Sequence, residues 1–570
     1  MLRKIYYLIP GKMRWKVYVI LLFLFVVTIL ELLSIGLILP FISLIIEPKS
    51  LTFFGKNLNI EKYINDLDRE KVLLYGLIIF NIIIISKNLV LFFLNYLASR
   101  FYLSVNVELI SSLFKKYMSQ DYLFHVYSDS SAMLRNIVHE STFLAKKNLK
   151  VILDLILNSV ILIGLSIMIL ILRPTEASII LGVFILFFCG YSLIFKRLLK
   201  KWGKKRMEYD GLILKYTQQA LKGFREIKLY QQESFFEKIL IKKVFRKEIL
   251  LKYINIIAPI PRYIIEILIV LILTFVALKV SFQEENLQEL IPEIALLAAI
   301  AFKLFPIINK IVINSQALRY GYASVQALWE EHKLQIKSNI QEDSQKIQFK
   351  KNIILEKISF KYPKTDNIVL DQIDLKFLKG NIIGIVGKSG EGKSTLLDLV
   401  SGIIEPTSGS VKVDSQDISK SLGHWRKKIG YVSQGTFFLD DTVRNNITFG
   451  KFDYFDEKNF NRALKLSNVE EFLPKLTHGV DTIIGEDGVK LSGGQKQRIS
   501  IARAIYRNPE VIIFDEATSA LDETNEKKII DIISNLKGLV TVFISTHKSS
   551  LLSHCDVKFK IEDKKVITIN

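Results

Sequence analysis

Through the first 330 residues, apolar runs of membrane length alternate with basic, amphipathic stretches. A helix needs about 20 apolar residues to cross a bilayer core. The pattern predicts six spans, at about 18–46, 72–96, 151–172, 177–194, 254–278 and 290–313. The third and fourth are joined by the tight turn Arg173-Pro174-Thr175-Glu176. The first is too long, and too polar at its end, for a cleaved signal peptide. One such run alone would equally suit a buried soluble helix; six in succession would not. Beyond residue 350 the pattern changes. Short apolar runs at 382–386, 511–514 and 540–544 read as buried strands among helical periods. An α-helical membrane domain over 1–330, a polar linker at 331–349 and an α/β domain over 350–570 follow.

Charge sets the orientation. Arg3, Lys4, Lys12, Arg14 and Lys16 precede the first span, and Lys196, Arg197, Lys200, Lys201, Lys204, Lys205 and Arg206 follow the fourth. Lys115, Lys116, Lys146, Lys147 and Lys150 lie between the second and third. All fall on one side if the N-terminus is cytoplasmic, which also places the α/β domain there. The 47–71 loop is then external, and its 60–67 stretch reads as a short interfacial helix. The chain carries 77 basic and 56 acidic residues, a net +21. Because the basic residues cluster at membrane edges, they suit anionic headgroups, and nucleic-acid binding is disfavoured. Mean hydropathy is +0.29, high for a soluble protein. The two cysteines, Cys189 and Cys555, fall in a span and in the cytoplasmic domain, so a structural disulfide is not expected.

The α/β domain carries the chemistry. Gly387, Lys388, Ser389, Gly390, Glu391, Gly392, Lys393, Ser394 and Thr395 form a G-x-x-x-x-G-K-S loop between a strand and a helix. Its backbone N–H groups and the helix N-terminus suit phosphates. Lys393 is positioned for the β- and γ-phosphates, and the Ser394 hydroxyl for Mg²⁺. The 511–514 strand runs into Asp515 and Glu516. Asp515 is assigned to Mg²⁺ and Glu516 to the attacking water. His547 follows the next strand and suits a γ-phosphate contact. Gln434 lies where it reaches both metal and water.

This set resembles the ATP-binding cassette ATPases over nearly all of 350–570. The resemblance makes Tyr362 the aromatic that stacks on adenine and Gln434 the Q-loop glutamine. It makes Ser492, Gly493, Gly494 and Gln495 the signature motif, 519–522 the D-loop and His547 the switch histidine. In that family ATP is sandwiched between the phosphate loop of one domain and the signature of another. One copy of each per chain implies a dimer, and the intact motifs favour a homodimer with two hydrolytic sites. Glu391, Gly435 and Thr546-His547-Lys548 depart from the commoner family residues without removing a required group. The fold class implied is an exporter-type membrane domain of six helices plus an α/β P-loop nucleotide-binding domain, using ATP and Mg²⁺.

The long cytoplasmic connections, 97–150 and 195–253, resemble exporter extensions whose bends dock on the ATPase. Those bends are expected near 129–136 and 230–236. Residues 31–41, 224–230 and 261–266 resemble bacterial flippases for lipid-linked oligosaccharides of protein glycosylation or O-antigen assembly. That resemblance implies a polyprenyl-diphosphate glycan crossing the bacterial inner membrane. Export of peptides, drugs or lipid A is the alternative. Charges inside spans are costly and mark pathways or pairs. Lys87, Arg262, Lys303 and Lys310 are the candidate substrate contacts. Arg262 and Glu266 are spaced to pair with each other, whereas Lys87 and Lys303 have no evident local partner in the sequence.

Overall fold

Backbone polar groups inside a bilayer must be satisfied within their own segment, and the apolar runs accordingly fold as long helices. The computed structural model describes residues 1–37, 51–53, 56–58, 69–172, 174–282, 287–336, 346–450, 455–517 and 522–569. These divide into one unit of Met1–Met118 with Asp129–Ile336 and a second of Ser119–Ser128 with Lys337–Asn570.

The first unit opens with α1 (Leu2–Leu8), α2 (Arg14–Gly36), the short paired strands β1 (Leu51–Phe53) and β2 (Lys56–Leu58), and α3 (Arg69–Met118). After α4 (Tyr122–Tyr127), which belongs to the second unit, come α5 (Ser130–Arg135), α6 (Leu149–Leu172) and α7 (Pro174–Lys222). Then follow α8 (Phe224–Leu229), α9 (Glu233–Ile257), α10 (Ile260–Phe282), α11 (Leu287–Tyr320) and α12 (Tyr322–His332). The stretches Gly11–Ser34, Leu74–Met118, Ser130–Met168 and Gly182–Lys222 are long and apolar enough to cross a membrane. The predicted fifth and sixth spans fall mainly on α10 and α11. The fifth begins later than expected, because the helix breaks at Ala258 and Pro259, where proline has no N–H to give. The predicted helix at 60–67 lies outside the described residues, as does part of the 173–176 turn.

The helices cross closely at two points. A Cβ added to Gly203 of α7 would sit 2.0 Å from the Tyr320 carbonyl oxygen, and one on Gly321 would sit 2.1 Å from Asn148 Oδ1. Two π-helical segments, Asn136–Glu140 and Leu144–Asn148, lead from α5 towards α6. The first delivers Glu140, which is fully buried, to Arg206 of α7. That guanidinium donates to both Glu140 oxygens at 2.9 and 3.0 Å, to Asp210 at 2.9 Å and to Ser324 of α12 at 2.8 Å. Lys247 of α9 adds a 2.8 Å ion pair to Asp210.

The second unit contains two sheets. One is antiparallel, ordered β4-β3-β6-β7, from Asn352–Lys361 (β3), Ile368–Leu378 (β4), Ser408–Val413 (β6) and Gln416–Asp417 (β7). The other is ordered β12-β11-β5-β10-β9-β8. Its strands are Ile382–Val386 (β5), Ile429–Val432 (β8), Val511–Asp515 (β9), Thr541–Ser545 (β10), Val557–Glu562 (β11) and Lys565–Ile569 (β12). All pairs in it are parallel except β11 with β12. The three runs read as buried strands are β5, β9 and β10, and they lie side by side in the sheet interior. Buried on both faces, such strands need continuous rather than alternating apolar sequence. Apolar layers on both faces, one including Phe377, Leu396 and Phe543, the other Ile501, Phe514 and Ile532, hold the sheet. Leu123 of α4 packs against the first layer.

Candidate functional site

Parallel strands aim their C-terminal ends at one edge, where loops of an open α/β sheet gather ligand groups. Here β5 runs into the glycine loop, β9 into Glu516 and β10 into His547. Gly390 and Gly392 take positive φ of 85° and 103°, a region that favours glycine. They turn the loop into α13 (Lys393–Ser401). A side chain at Gly392 would also strike Val369, 2.9 Å from its Cβ position.

Lys393 is almost wholly buried, at 4% side-chain exposure. Its Nζ donates to the carbonyls of Gly387 and Lys388 at 2.8 and 3.1 Å. It lies 2.9 Å from His547 Nε2 and 3.6 Å from Glu516 Oε1. Glu516 also stands 3.7 Å from His547 Nε2. Its φ of 50° is unusual for a residue with a side chain and turns its backbone just after β9. Ser394 Oγ donates to Asp515 Oδ1 at 3.2 Å. Lys393, Ser394, Asp515, Glu516 and His547 therefore form one cluster. Thr395 Oγ1 lies 3.0 Å from the Tyr362 hydroxyl. Tyr362 lines an open cleft of about 490 Å³ with Lys361, Lys364, Thr365 and Asp366. Gln434 is exposed in the segment after β8.

Two participants were not singled out in the sequence. The Tyr431 hydroxyl is shared between Asp515 Oδ2 at 3.2 Å and Asp398 Oδ1 at 3.3 Å. Burial, with the Asp515 charge nearby, pushes the Asp398 carboxyl up to about 6. Asp398 stands four residues after Ser394, on the same face of α13, a spacing that was available as a signal.

The signature residues lie elsewhere. Ser492 caps α14 (Gly493–Tyr506) in a reciprocal box with Gln495: Ser492 N–H to Gln495 Oε1 is 2.8 Å, and Gln495 N–H to Ser492 Oγ is 3.4 Å. Gly494 presses against Asn525, but a Cβ at Gly493 would meet open space. Among the described residues, no hydrogen bond joins the signature to the glycine loop of the same chain. Residues 518–521, most of the expected D-loop, lie outside the described residues.

In the first unit the structure changes one reading. Lys87 has a partner, Glu31, 2.8 Å away. These two residues sit on neighbouring helices α3 and α2, a pairing that sequence spacing does not reveal. Arg262 and Glu266 are both exposed, and among the described residues no ion pair joins them. Lys310 is exposed on α11, and the side chain of Lys303 lies outside the described residues.

A phosphate loop, an Asp-Glu strand end, a histidine after the neighbouring strand and a capped Ser-Gly-Gly-Gln helix define an ABC-type ATPase. Joined to a bundle of membrane-length helices, it defines an ATP-driven exporter. The chain belongs to the ABC transporter family: its residues 15–304 match the ABC transporter transmembrane region and 370–519 the ABC transporter domain. It is 27% identical to an ATP-dependent lipid A-core flippase of Shigella flexneri over 542 residues, covering 93% of this chain and 91% of that protein. The Pectobacterium atrosepticum flippase of the same description is 27% identical over 467 residues, covering 80% and 78%. The fold is similar to that of a bacterial Atm1-family ABC exporter with ATP bound, with a TM-score of 0.81 over 97% of this chain and 94% of that one, at 18% identity. Hydrolysis of ATP is thus coupled to export.

Proposed function

We propose that two copies of this chain form a flippase in a bacterial inner membrane, with the α/β domain cytoplasmic, translocating a polyprenyl-diphosphate oligosaccharide. The observation that carries the dimer is the separation of signature and phosphate loop within one chain. A half-site that presents Gly493 to open space suits the loop of a second copy.

The cluster at the strand ends supports a division of labour. Lys393 is the group that moves onto the β- and γ-phosphates, leaving the carbonyls it now holds. Glu516 accepts a proton from water as the water oxygen bonds to the γ-phosphorus. The bond from that phosphorus to the bridging oxygen breaks, and ADP departs with the electron pair. His547 donates to the γ-phosphoryl oxygens, where charge accumulates. Ser394 and Asp515 already share a hydrogen bond and are both oxygen ligands, which fits Mg²⁺; Gln434 completes their side. When bound, that ion neutralises phosphate charge. Tyr362 offers its ring to adenine.

Arg262 and Lys310, both exposed on membrane helices, support an anionic headgroup, and Lys303 belongs with them by sequence. Lys87 is better read as structural, given Glu31. A second reading, lipid A-core as cargo, is favoured by the flippase relatives; both lipids carry phosphate and glycan. The test is reconstitution in liposomes holding a labelled polyprenyl-diphosphate oligosaccharide or labelled lipid A-core. ATP-dependent translocation of the first alone supports the proposal, and translocation of the second alone selects the other reading.

A further inference from the structure

Glu391 lies inside the phosphate loop, flanked by the two positive-φ glycines 390 and 392. An acid so close to three phosphates reads at first as a liability for ATP affinity. The structure gives its carboxylate a specific partner. Glu391 Oε2 accepts the Lys388 backbone N–H at 2.5 Å, and the Glu391 N–H donates back to the Lys388 carbonyl at 3.3 Å. The same oxygen sits 2.8 Å from where a Cβ on Gly387 would be. The side chain therefore folds back onto the start of the loop. Lys560, on the neighbouring strand β11, is within electrostatic reach of it.

The loop is thus held from within by two side chains. Lys393 holds the carbonyls of Gly387 and Lys388, and Glu391 holds the N–H of Lys388. Only one of these holds can survive nucleotide binding, because Lys393 is needed by the phosphates. A loop with two left-handed glycines has much conformational freedom to lose, so a tie that persists lowers the cost of ordering it.

We infer that Glu391 is a positioning residue for ATP: its carboxylate staples residues 388–391 and keeps the phosphate loop formed once Lys393 has left for the nucleotide. The sign of its effect separates this role from charge repulsion. A staple makes its removal weaken ATP binding; a repelling charge makes removal tighten it.

The experiment compares full-length wild type, Glu391→Ala and Glu391→Gln in lipid nanodiscs. KM and kcat for ATP hydrolysis, Kd for ATP and the thermal midpoint are measured for each. Glutamine keeps an oxygen acceptor for the Lys388 N–H and discards the charge. The expected result is a KM and Kd raised about tenfold in Glu391→Ala, the low end of what one hydrogen bond to a charged acceptor contributes. Its kcat stays within about twofold of wild type, and Glu391→Gln recovers most of the affinity. Tighter binding in both variants, or no change in Glu391→Ala, overturns the staple. Equal weakening in both also overturns it, moving the role to the charge that faces Lys560. Should Glu391→Ala not fold, as its midpoint would reveal, Glu391→Gln alone decides: affinity near wild type supports the staple, and tighter or markedly weaker binding overturns it. Absence of hydrolysis in the wild type itself would instead count against the ATPase reading.

Discussion

The Nζ of Lys393 and Nε2 of His547 lie 2.9 Å apart. An ammonium only donates, so with Lys393 charged His547 accepts at Nε2 and carries its proton on Nδ1. To donate to a γ-phosphate, the imidazole must change partner as the lysine moves away. Replacing His547 by alanine is expected to lower kcat about 10²-fold, with ATP binding changed far less. Steady-state hydrolysis together with nucleotide binding checks this, and an unaltered kcat would remove His547 from the mechanism.

Glu516 stands within reach of both those groups. Glu516→Gln keeps its shape and loses its basicity. Hydrolysis should fall roughly 10²- to 10⁴-fold, while ATP is still bound. Lys393→Ala, by contrast, should lose nucleotide binding itself. Equal binding defects in the two variants would contradict the separate roles.

The carboxyl of Asp398 is held near 6, against an ordinary 3.8, mainly by burial. A raised folded value means the favourable contribution is complete below about 4 and is lost as pH climbs through about 6. Nucleotide-free protein should therefore be penalised above pH 6 by on the order of 2 kcal/mol at this residue. Asp398→Asn, which can still bond Tyr431, should flatten the stability profile between pH 4 and 7. Unfolding midpoints across that range would show it; parallel profiles for both proteins would refute it.

Arg206 and Glu140 form a buried pair whose members need each other. Arg206→Met leaves Glu140 charged and buried, a loss of about 3–5 kcal/mol. The double variant with Glu140→Leu should recover most of that. Thermal inactivation in detergent tests it, and equal damage in single and double variants would argue against the pairing as the cause.

Arg262→Ala with Lys310→Ala should slow translocation while basal hydrolysis persists. Lys87→Ala should instead lower stability, with partial rescue by Glu31→Gln, because it removes the ammonium 2.8 Å from the Glu31 carboxylate inside a span. Transport lost in Lys87→Ala at full stability would restore it to the substrate path.

The cluster at the strand ends was legible because its groups follow strands buried on both faces, and runs such as 382–386 announce themselves without a partner. Tyr431 with Asp398, and Lys87 with Glu31, were not legible in the same way. Their meeting is set by which strands and helices become neighbours, not by spacing along one element. The docking bend shows a different failure. A short helix does start at Asp129, whose side chain accepts the Ser131 N–H at 3.0 Å. That helix belongs to the membrane unit. The segment grouped with the ATPase is the preceding Ser119–Ser128 with its helix Tyr122–Tyr127, whose aromatic sequence reads as part of a longer amphipathic run. The π-helical turns were equally hidden, since the apolar period hardly differs over five residues.

The helix crossings at Gly203 and Gly321 have a mechanical corollary. With a carbonyl and an amide filling the space a methyl would need, neighbouring rods cannot ratchet past each other by one residue without collision. Displacement imposed on one end of these rods is then passed along them as tilt and rotation of a linked set, with little absorbed as slip.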